Sequence, residues 1–276
     1  MCLYPIEVRN KSTGIVQTVK CGKCIECLKS ISQEWALRIM LEAKQYAENC
    51  CFTLTYDNEH VPDDYQLVRK DIQLFLKSLR KAISPRKIRI FYSGEYGEKK
   101  GRPHFHCIVF GWLPNDLVYK FSKSIPYYTS SMLSKLWKRG FVTVGQVTYE
   151  TAFYCAKYLQ KVAGMKKEVK PFCGMSNRPG IGFNAITPDL LEKGCFYYDG
   201  KKYPLPRYFQ KVLERDADWQ SVMKLRLRRS AALNQSLRCD TDTARDNRRK
   251  READFLGEES WRYGKCTDFI LVGESY

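Results

Sequence analysis

Apolar positions recur at helical spacing from Ser32 to about Glu48, at Trp35, Leu37, Ile39, Met40, Ala43 and Ala47, which predicts a helix. The run CCFTLTY (50–56) is apolar and β-branched and predicts a buried strand. Residues 69–82 set Ile72, Leu74, Phe75, Leu76 and Leu79 among lysines and arginines, the pattern of a basic amphipathic helix. KIRIFYSGEYG (87–97) alternates as a strand, EKKG turns, and RPHFHCIVFGW returns as the second arm of a hairpin. A helix near 129–138, a strand FVTVGQV (141–147) and a helix from Tyr149 to Val162 follow. This order predicts an α+β fold, an antiparallel sheet with a βαββαβ core and helices packed on one face. Residues 1–30 carry few helix or strand signals and form a Cys-rich segment. Beyond Gly164 the pattern weakens: 165–210 is rich in Gly, Pro and Tyr, and 223–252 is basic with helical spacing. The chain thus divides into 1–30, a core domain 31–164 and a basic extension 165–276.

Charge narrows the choice of partner. Lys and Arg number 47 against 30 Asp and Glu, a net +17, which calls for an acidic partner, nucleic acid first. An anionic membrane is the rival. No apolar run reaches the roughly 18–20 residues of a membrane span, and residues 1–30 lack the apolar stretch of an export signal. The expectation is a soluble protein that is not exported and works in a reducing cytoplasm. Arg69, Lys77 and Arg80, with Arg102 by the hairpin turn, are candidate phosphate contacts. Tyr92, Tyr96 and Trp112 can stack on unpaired bases or fill the core.

Only three histidines occur, and two of them, His104 and His106, flank Phe105. Side chains alternate along a strand, so both imidazoles leave the same face, about 6–7 Å apart along it. If the hairpin turns between Lys99 and Lys100, Glu95 lies opposite His104 on that face. Two imidazoles and a carboxylate suit Mn²⁺, Mg²⁺ or Zn²⁺. The plainer alternative is a pair of surface histidines; His60, in a polar loop, reads as a surface residue.

Two further groups carry chemistry. In YETAFYCAKYLQK, Tyr154 and Tyr158 stand one helical turn apart, with Lys157 and Lys161 on the neighbouring face. A phenol has a pKa near 10 and attacks phosphate only with help from a cation, so core packing is the alternative for the pair. CGKCIEC places Cys21, Cys24 and Cys27 at short spacing, and Cys2 completes four thiols, enough for a structural Zn²⁺. An iron–sulfur cluster, a redox pair and ordinary reduced thiols are the other readings. The remaining cysteines, such as Cys51, Cys107 and Cys155, lie in apolar runs and read as small buried hydrophobes.

Taken together, FTLTY, HFH and YCAKY resemble the ordered motifs of the HUH endonucleases that start rolling-circle replication. CGKCIEC, FTLTYDNEHVP, SGEYGEKKGRPHFHCIVFG and YCAKYLQKV are similar to the replication initiation proteins of the Microviridae, single-stranded DNA phages, on the gokushovirus side. The resemblance covers about residues 1–165. It implies an HUH, ferredoxin-like core and a DNA nicking and joining enzyme acting in the bacterial host cytoplasm. His104, His106 and Glu95 would hold a divalent metal, Mg²⁺ or Mn²⁺. Tyr154 or Tyr158 would attack the scissile phosphate and stay on the 5′ end, and Lys157 would orient phosphate or steady the phenolate. A host helicase and polymerase are implied, since no G-x-x-x-x-G-K-[ST] loop occurs. A water-using phosphodiesterase and a non-catalytic single-strand-binding module are the rivals.

Overall fold

The computed structural model describes residues 2–11, 14–97, 101–122, 125–157 and 168–263. By their contacts these fall into two compact units. One comprises the described residues between 35 and 184; the other comprises those up to 34 together with those from 185 on.

The first unit is built on a seven-stranded antiparallel sheet. Its strands are β3 (Asn49–Tyr56), β4 (Arg89–Tyr96), β5 (Pro103–Phe110), β6 (Leu117–Ser122), β7 (Ile125–Ser130), β8 (Gly140–Gly145) and β9 (Phe172–Met175). They lie in the order β6-β7-β8-β3-β5-β4-β9. The helices are the second half of α1 (Ile25–Ala43), α2 (Arg69–Ala82), α3 (Ser131–Trp137) and α4 (Tyr149–Ala156). The α+β class and the antiparallel sheet are as expected. The β6–β7 hairpin and β9 were not; both extend the edges of the sheet, where half-exposed strands lose the clean apolar alternation that marks a central one.

Helix α1 begins and ends earlier than its apolar spacing predicts, 25–43 rather than 32–48. The amide of Asn49 explains the end: its Nδ2 donates to the carbonyls of Ala43 (3.0 Å) and Tyr46 (3.2 Å), closing the last turn. Helix α4 starts on a reciprocal cap, Thr151 N–H to Thr148 Oγ1 and Thr148 N–H to Thr151 Oγ1, worth about 1 kcal/mol. The expected continuation of α4 to Val162 lies outside the described residues past Lys157.

The helices divide between the two faces of the sheet instead of gathering on one. Phe52, Leu54 and Tyr56 share a face with Phe105 of β5. There Phe52 meets Phe75 of α2 (ring centroids 5.7 Å), and Trp137 of α3 meets both Tyr56 (5.2 Å) and Phe105 (5.9 Å). The opposite face carries α1, whose Trp35 packs 5.3 Å from Phe91, and α4, whose Tyr154 meets His106. Helix α2 has one strongly apolar side, but α1 and α4 also carry apolar stripes, and each stripe needs its own sheet surface to cover it. A Cβ at Gly140 would lie 2.3 Å from the Thr55 carbonyl oxygen, so only glycine lets β8 run this close to β3.

Phe105 is wholly buried. Phe105→Ala is expected to lower the unfolding free energy by about 3–5 kcal/mol, read from urea midpoints at unchanged slope. A loss below about 1 kcal/mol would mean that the ring is not held in the core as described.

The second unit contains a β1 (Ile6–Arg9)–β2 (Val16–Val19) hairpin and the first turns of α1. From the C-terminal part come α5 (Asp189–Lys193), a β10 (Cys195–Tyr198)–β11 (Lys201–Pro204) hairpin, α6 (Arg207–Asp216), α7 (Trp219–Arg238) and α8 (Asp242–Tyr263). The helical spacing in the basic stretch 223–252 thus belongs to two helices. The N-terminal hairpin escaped the pattern because both its strands are largely exposed. Thr18 N–H donates to Ser230 Oγ of α7 at 2.9 Å, and Glu34 Oε1 accepts Arg207 N–H at 2.6 Å, tying the unit's sequence-distant segments together. Among the described residues, no helix is long and apolar enough to cross a membrane.

Candidate metal centre beside an exposed tyrosine

Strand β5 sends His104 and His106 to the same face, and β4 sets Glu95 directly opposite His104, as the hairpin arithmetic requires. Glu95 Oε1 lies 3.1 Å from His104 Nε2 and 3.0 Å from His106 Nε2. The ligand atoms of the three residues fall within 4.8 Å of one another. Glu95 is 1% exposed and His106 is buried, while His104 is half-buried and open on the solvent side.

The outer ring nitrogens are held from behind. His104 Nδ1 lies 3.1 Å from the carbonyl oxygen of Arg102. A carbonyl only accepts, so Nδ1 carries the proton and Nε2 turns a lone pair toward Glu95. His106 Nδ1 lies 2.9 Å from Thr53 Oγ1 of β3. Such second contacts fix the orientation of metal-ligating imidazoles. A lone pair and a carboxylate oxygen at 3.1 Å repel unless a proton or a cation sits between them. Neighbouring ligands of an octahedral ion with bonds of about 2.1 Å stand about 3.0 Å apart, close to the spacing here. The N, N, O donor set therefore fits a divalent cation. Ser93, buried on β4 opposite His106, has a hydroxyl oxygen with no hydrogen-bond partner among the described residues.

Tyr154 completes the neighbourhood. Ala152, Cys155 and Ala156 bury one side of α4, which leaves Tyr154 at the rim, 44% exposed. Its ring stands edge-on to His106 at a centroid distance of 5.1 Å. Lys157 follows at the helix C-cap and is half-buried. Tyr158 and Lys161 lie outside the described residues. Cys155, packed beneath the site, has its thiol pushed up by a hydrogen bond with Cys51 and by burial, which keeps it neutral and inert.

The other sequence candidates divide. Lys77 and Arg80 are exposed on α2, which covers the sheet face away from the histidines, so the structure does not bring them to the cluster. Arg69, on the same helix, stacks its guanidinium 3.9 Å over Phe172. Arg102 donates to the Tyr56 carbonyl (2.7 Å) and to Asn58 Oδ1 (2.5 Å), bracing the end of β3 beside the hairpin turn. Tyr96 and Trp112 are core residues. Tyr96 donates its hydroxyl to the Val169 carbonyl at 2.6 Å, and burial raises its pKa, as it does that of Tyr92.

Residues missed in the sequence are Thr53, Ser93 and Phe141. Thr55 pairs with both His104 on β5 and Phe141 on β8, so Phe141 stands in the same row as His104, 66% exposed. Thr143 and Gly145, on the same face of β8, are exposed too. The period-2 pattern of FVTVGQV does mark Phe141 as facing away from Val142 and Val144, but not toward the histidines. The separate group of Cys2, Cys21, Cys24 and Cys27 also assembles, with its sulfurs within 4.8 Å of one another.

The fold and this cluster define an α+β protein with a metal-competent carboxylate–histidine site on an antiparallel sheet and a tyrosine at its rim. Residues 49–163, which include β3, β5 and Tyr154, match the family model of the replication-associated protein ORF2. The chain is 32% identical over 242 residues to the replication-associated protein ORF2 of Spiroplasma virus 4, covering 78% of this chain and 73% of that protein. It is 30% identical over 239 residues to the replication-associated protein VP4 of Bdellovibrio phage phiMH2K, covering 76% of each. It is 32% identical over 234 residues to the replication-associated protein ORF4 of Chlamydia phage 1, covering 75% of this chain and 58% of that longer protein. The chain belongs to this family of phage replication-associated proteins, of the Microviridae type. No solved structure matches it.

Proposed function

We propose that this protein initiates rolling-circle replication of a phage genome by nicking one DNA strand at the origin with an HUH-type site. The observation that carries the reading is the convergence of Glu95, His104 and His106 within 4.8 Å, with the Tyr154 ring 5.1 Å from that of His106. His104, His106 and Glu95 would hold a divalent cation, Mg²⁺ or Mn²⁺. When bound, such a cation polarises the scissile phosphate and offsets the charge that develops on it. The tyrosine hydroxyl loses its proton and its oxygen bonds to phosphorus. The bond from phosphorus to the 3′ oxygen breaks, and that oxygen leaves as a 3′-OH on which a host polymerase can extend. The protein stays on the 5′ phosphate, so the ester keeps the energy of the cut bond and the strand can be rejoined without ATP. Tyr154 is the nucleophile, Lys157 steadies the phenolate or phosphate, and Tyr158, one turn on, serves the second cut. A host helicase supplies the unwinding, in the cytoplasm of the bacterial host.

The exposed face of β8 supports a path for the strand. Phe141 stands two strands from His104, about 10 Å at the usual strand spacing of about 4.8 Å, and offers a ring for an unpaired base. Phe141→Ala is expected to weaken single-stranded DNA affinity roughly 5- to 150-fold, the value of one stacked base. Fluorescence anisotropy checks this; unchanged binding would remove Phe141 from the path.

The decisive test mixes the purified protein, Mn²⁺ or Mg²⁺, and end-labelled single-stranded DNA from the phage origin. The expected product is a protein-linked 5′ fragment, with the linked peptide mapping to Tyr154 or Tyr158 by mass spectrometry. Cleavage without a covalent product would favour water as nucleophile. Binding without cleavage would make the protein a single-strand-binding module.

A further inference from the structure

We propose that Cys2, Cys21, Cys24 and Cys27 form a structural zinc site that ties the N-terminal segment to the start of α1 and so creates the seat for helix α8. The four sulfurs lie within 4.8 Å of one another, and Cys21 Sγ stands 3.9 Å from Cys27 Sγ. A tetrahedral zinc with bonds of about 2.3 Å holds its sulfurs about 3.8 Å apart, whereas a disulfide requires about 2.05 Å. A multi-iron cluster would hold its thiolates wider than a single ion does.

Each sulfur also accepts a backbone N–H. Leu3 donates to Cys24 (3.5 Å), Cys21 to Cys2 (3.3 Å), Cys24 to Cys21 (3.4 Å), and Gly22 to Cys27. Such donors stabilise thiolate charge, and a backbone that turns four of them onto four sulfurs is arranged for anionic ligands. Cys2, Cys24 and Cys27 are buried with Leu3, and Leu233 of α7 packs against them. No polar side chain with a catalytic role accompanies the sulfurs among the described residues, which fits a closed, structural site.

What the site supports lies next to it in the same unit. The Glu252 carboxylate of α8 accepts the Ile25 N–H at 2.8 Å, in the first turn of α1, and bonds with the Tyr4 hydroxyl. Arg249 donates to the Leu3 carbonyl at 3.3 Å and stacks 5.3 Å over Tyr4. Leu3, Tyr4 and Ile25 each adjoin or nearly adjoin a cysteine of the cluster. Without an ion, four thiolates in one pocket repel and four neutral thiols leave the N–H donors poorly matched. The segment that receives α8 then loosens.

The test uses the full chain without an affinity tag, purified under reductant with no added metal. Elemental analysis is expected to find one zinc per chain after gel filtration. The zinc persists in the His104→Ala/His106→Ala variant and is lost in Cys24→Ser/Cys27→Ser. Should the cysteine variant fail to fold, the wild-type protein, stripped and refilled with Co²⁺, is expected to show the intense visible bands of a tetrahedral cobalt thiolate. Chelation is expected to speed tryptic cleavage within 242–254 at least tenfold, and added zinc to reverse it. Absence of zinc, zinc lost only with the histidines, or iron with acid-labile sulfide would overturn the site. Unchanged cleavage after zinc removal would overturn its role in seating α8.

Discussion

Tyr154→Phe removes the covalent protein–DNA product and slows strand cleavage by roughly 10³–10⁶-fold, the scale seen when an enzyme loses its nucleophile. Tyr154 is 44% exposed, and a change at such a surface site costs within about 0.5 kcal/mol of stability. The loss is therefore one of chemistry rather than folding, and an unchanged unfolding midpoint checks that. Single-turnover cleavage of labelled origin DNA measures the rate, and denaturing gels measure the adduct. Tyr158→Phe is expected to leave the first cut intact and to block closure of the displaced strand into a circle. If Tyr154→Phe keeps the wild-type adduct yield, attached to any residue, Tyr154 is not the initiating nucleophile.

The metal centre gives the second large effect. His104→Ala or His106→Ala each removes one of three ligands and is expected to lower cleavage by more than about 10²-fold, beyond what supporting contacts contribute. Affinity for single-stranded DNA should stay within about threefold, because phosphate contacts away from the cluster supply most of the binding. Thr53→Ala provides a graded comparison. Thr53 Oγ1 supports His106 through Nδ1 (2.9 Å), so its loss should weaken metal affinity about 10–100-fold. Raised Mn²⁺ then restores cleavage to Thr53→Ala and not to the histidine variants. Titrations of activity against Mn²⁺ separate these outcomes. Full cleavage by either histidine variant in chelated buffer would end the assignment of a metal.

Much of this centre could be read from residue order. Strand alternation places His104 and His106 on one face whatever the fold around them, and a four-residue turn makes Glu95 the partner of His104. Both are local consequences of the pleat. The supporting Thr53 was hidden, because its pairing with His106 depends on β3 lying beside β5 with a particular register across 53 positions of chain. Phe141 was hidden for the same reason, one strand further out. The basic residues of α2 misled: the spacing that makes the helix amphipathic says nothing about which side of the sheet it covers, and it covers the side without the histidines. Trp112 and Tyr96 were ambiguous between bases and core until their burial was known.

The residue order by itself determined the strand hairpin, the shared face of its two imidazoles and their carboxylate, the capped helix that bears Tyr154, and the short cysteine spacing. These rest on periods of two and 3.6 residues and on turn length, which are properties of the local backbone. Only the tertiary structure decided that α4 and the histidines share one side of the sheet, that α2 takes the other, and that Cys2 returns to the remaining cysteines. Those outcomes follow from where apolar surfaces find cover, a competition among distant segments that no local period records.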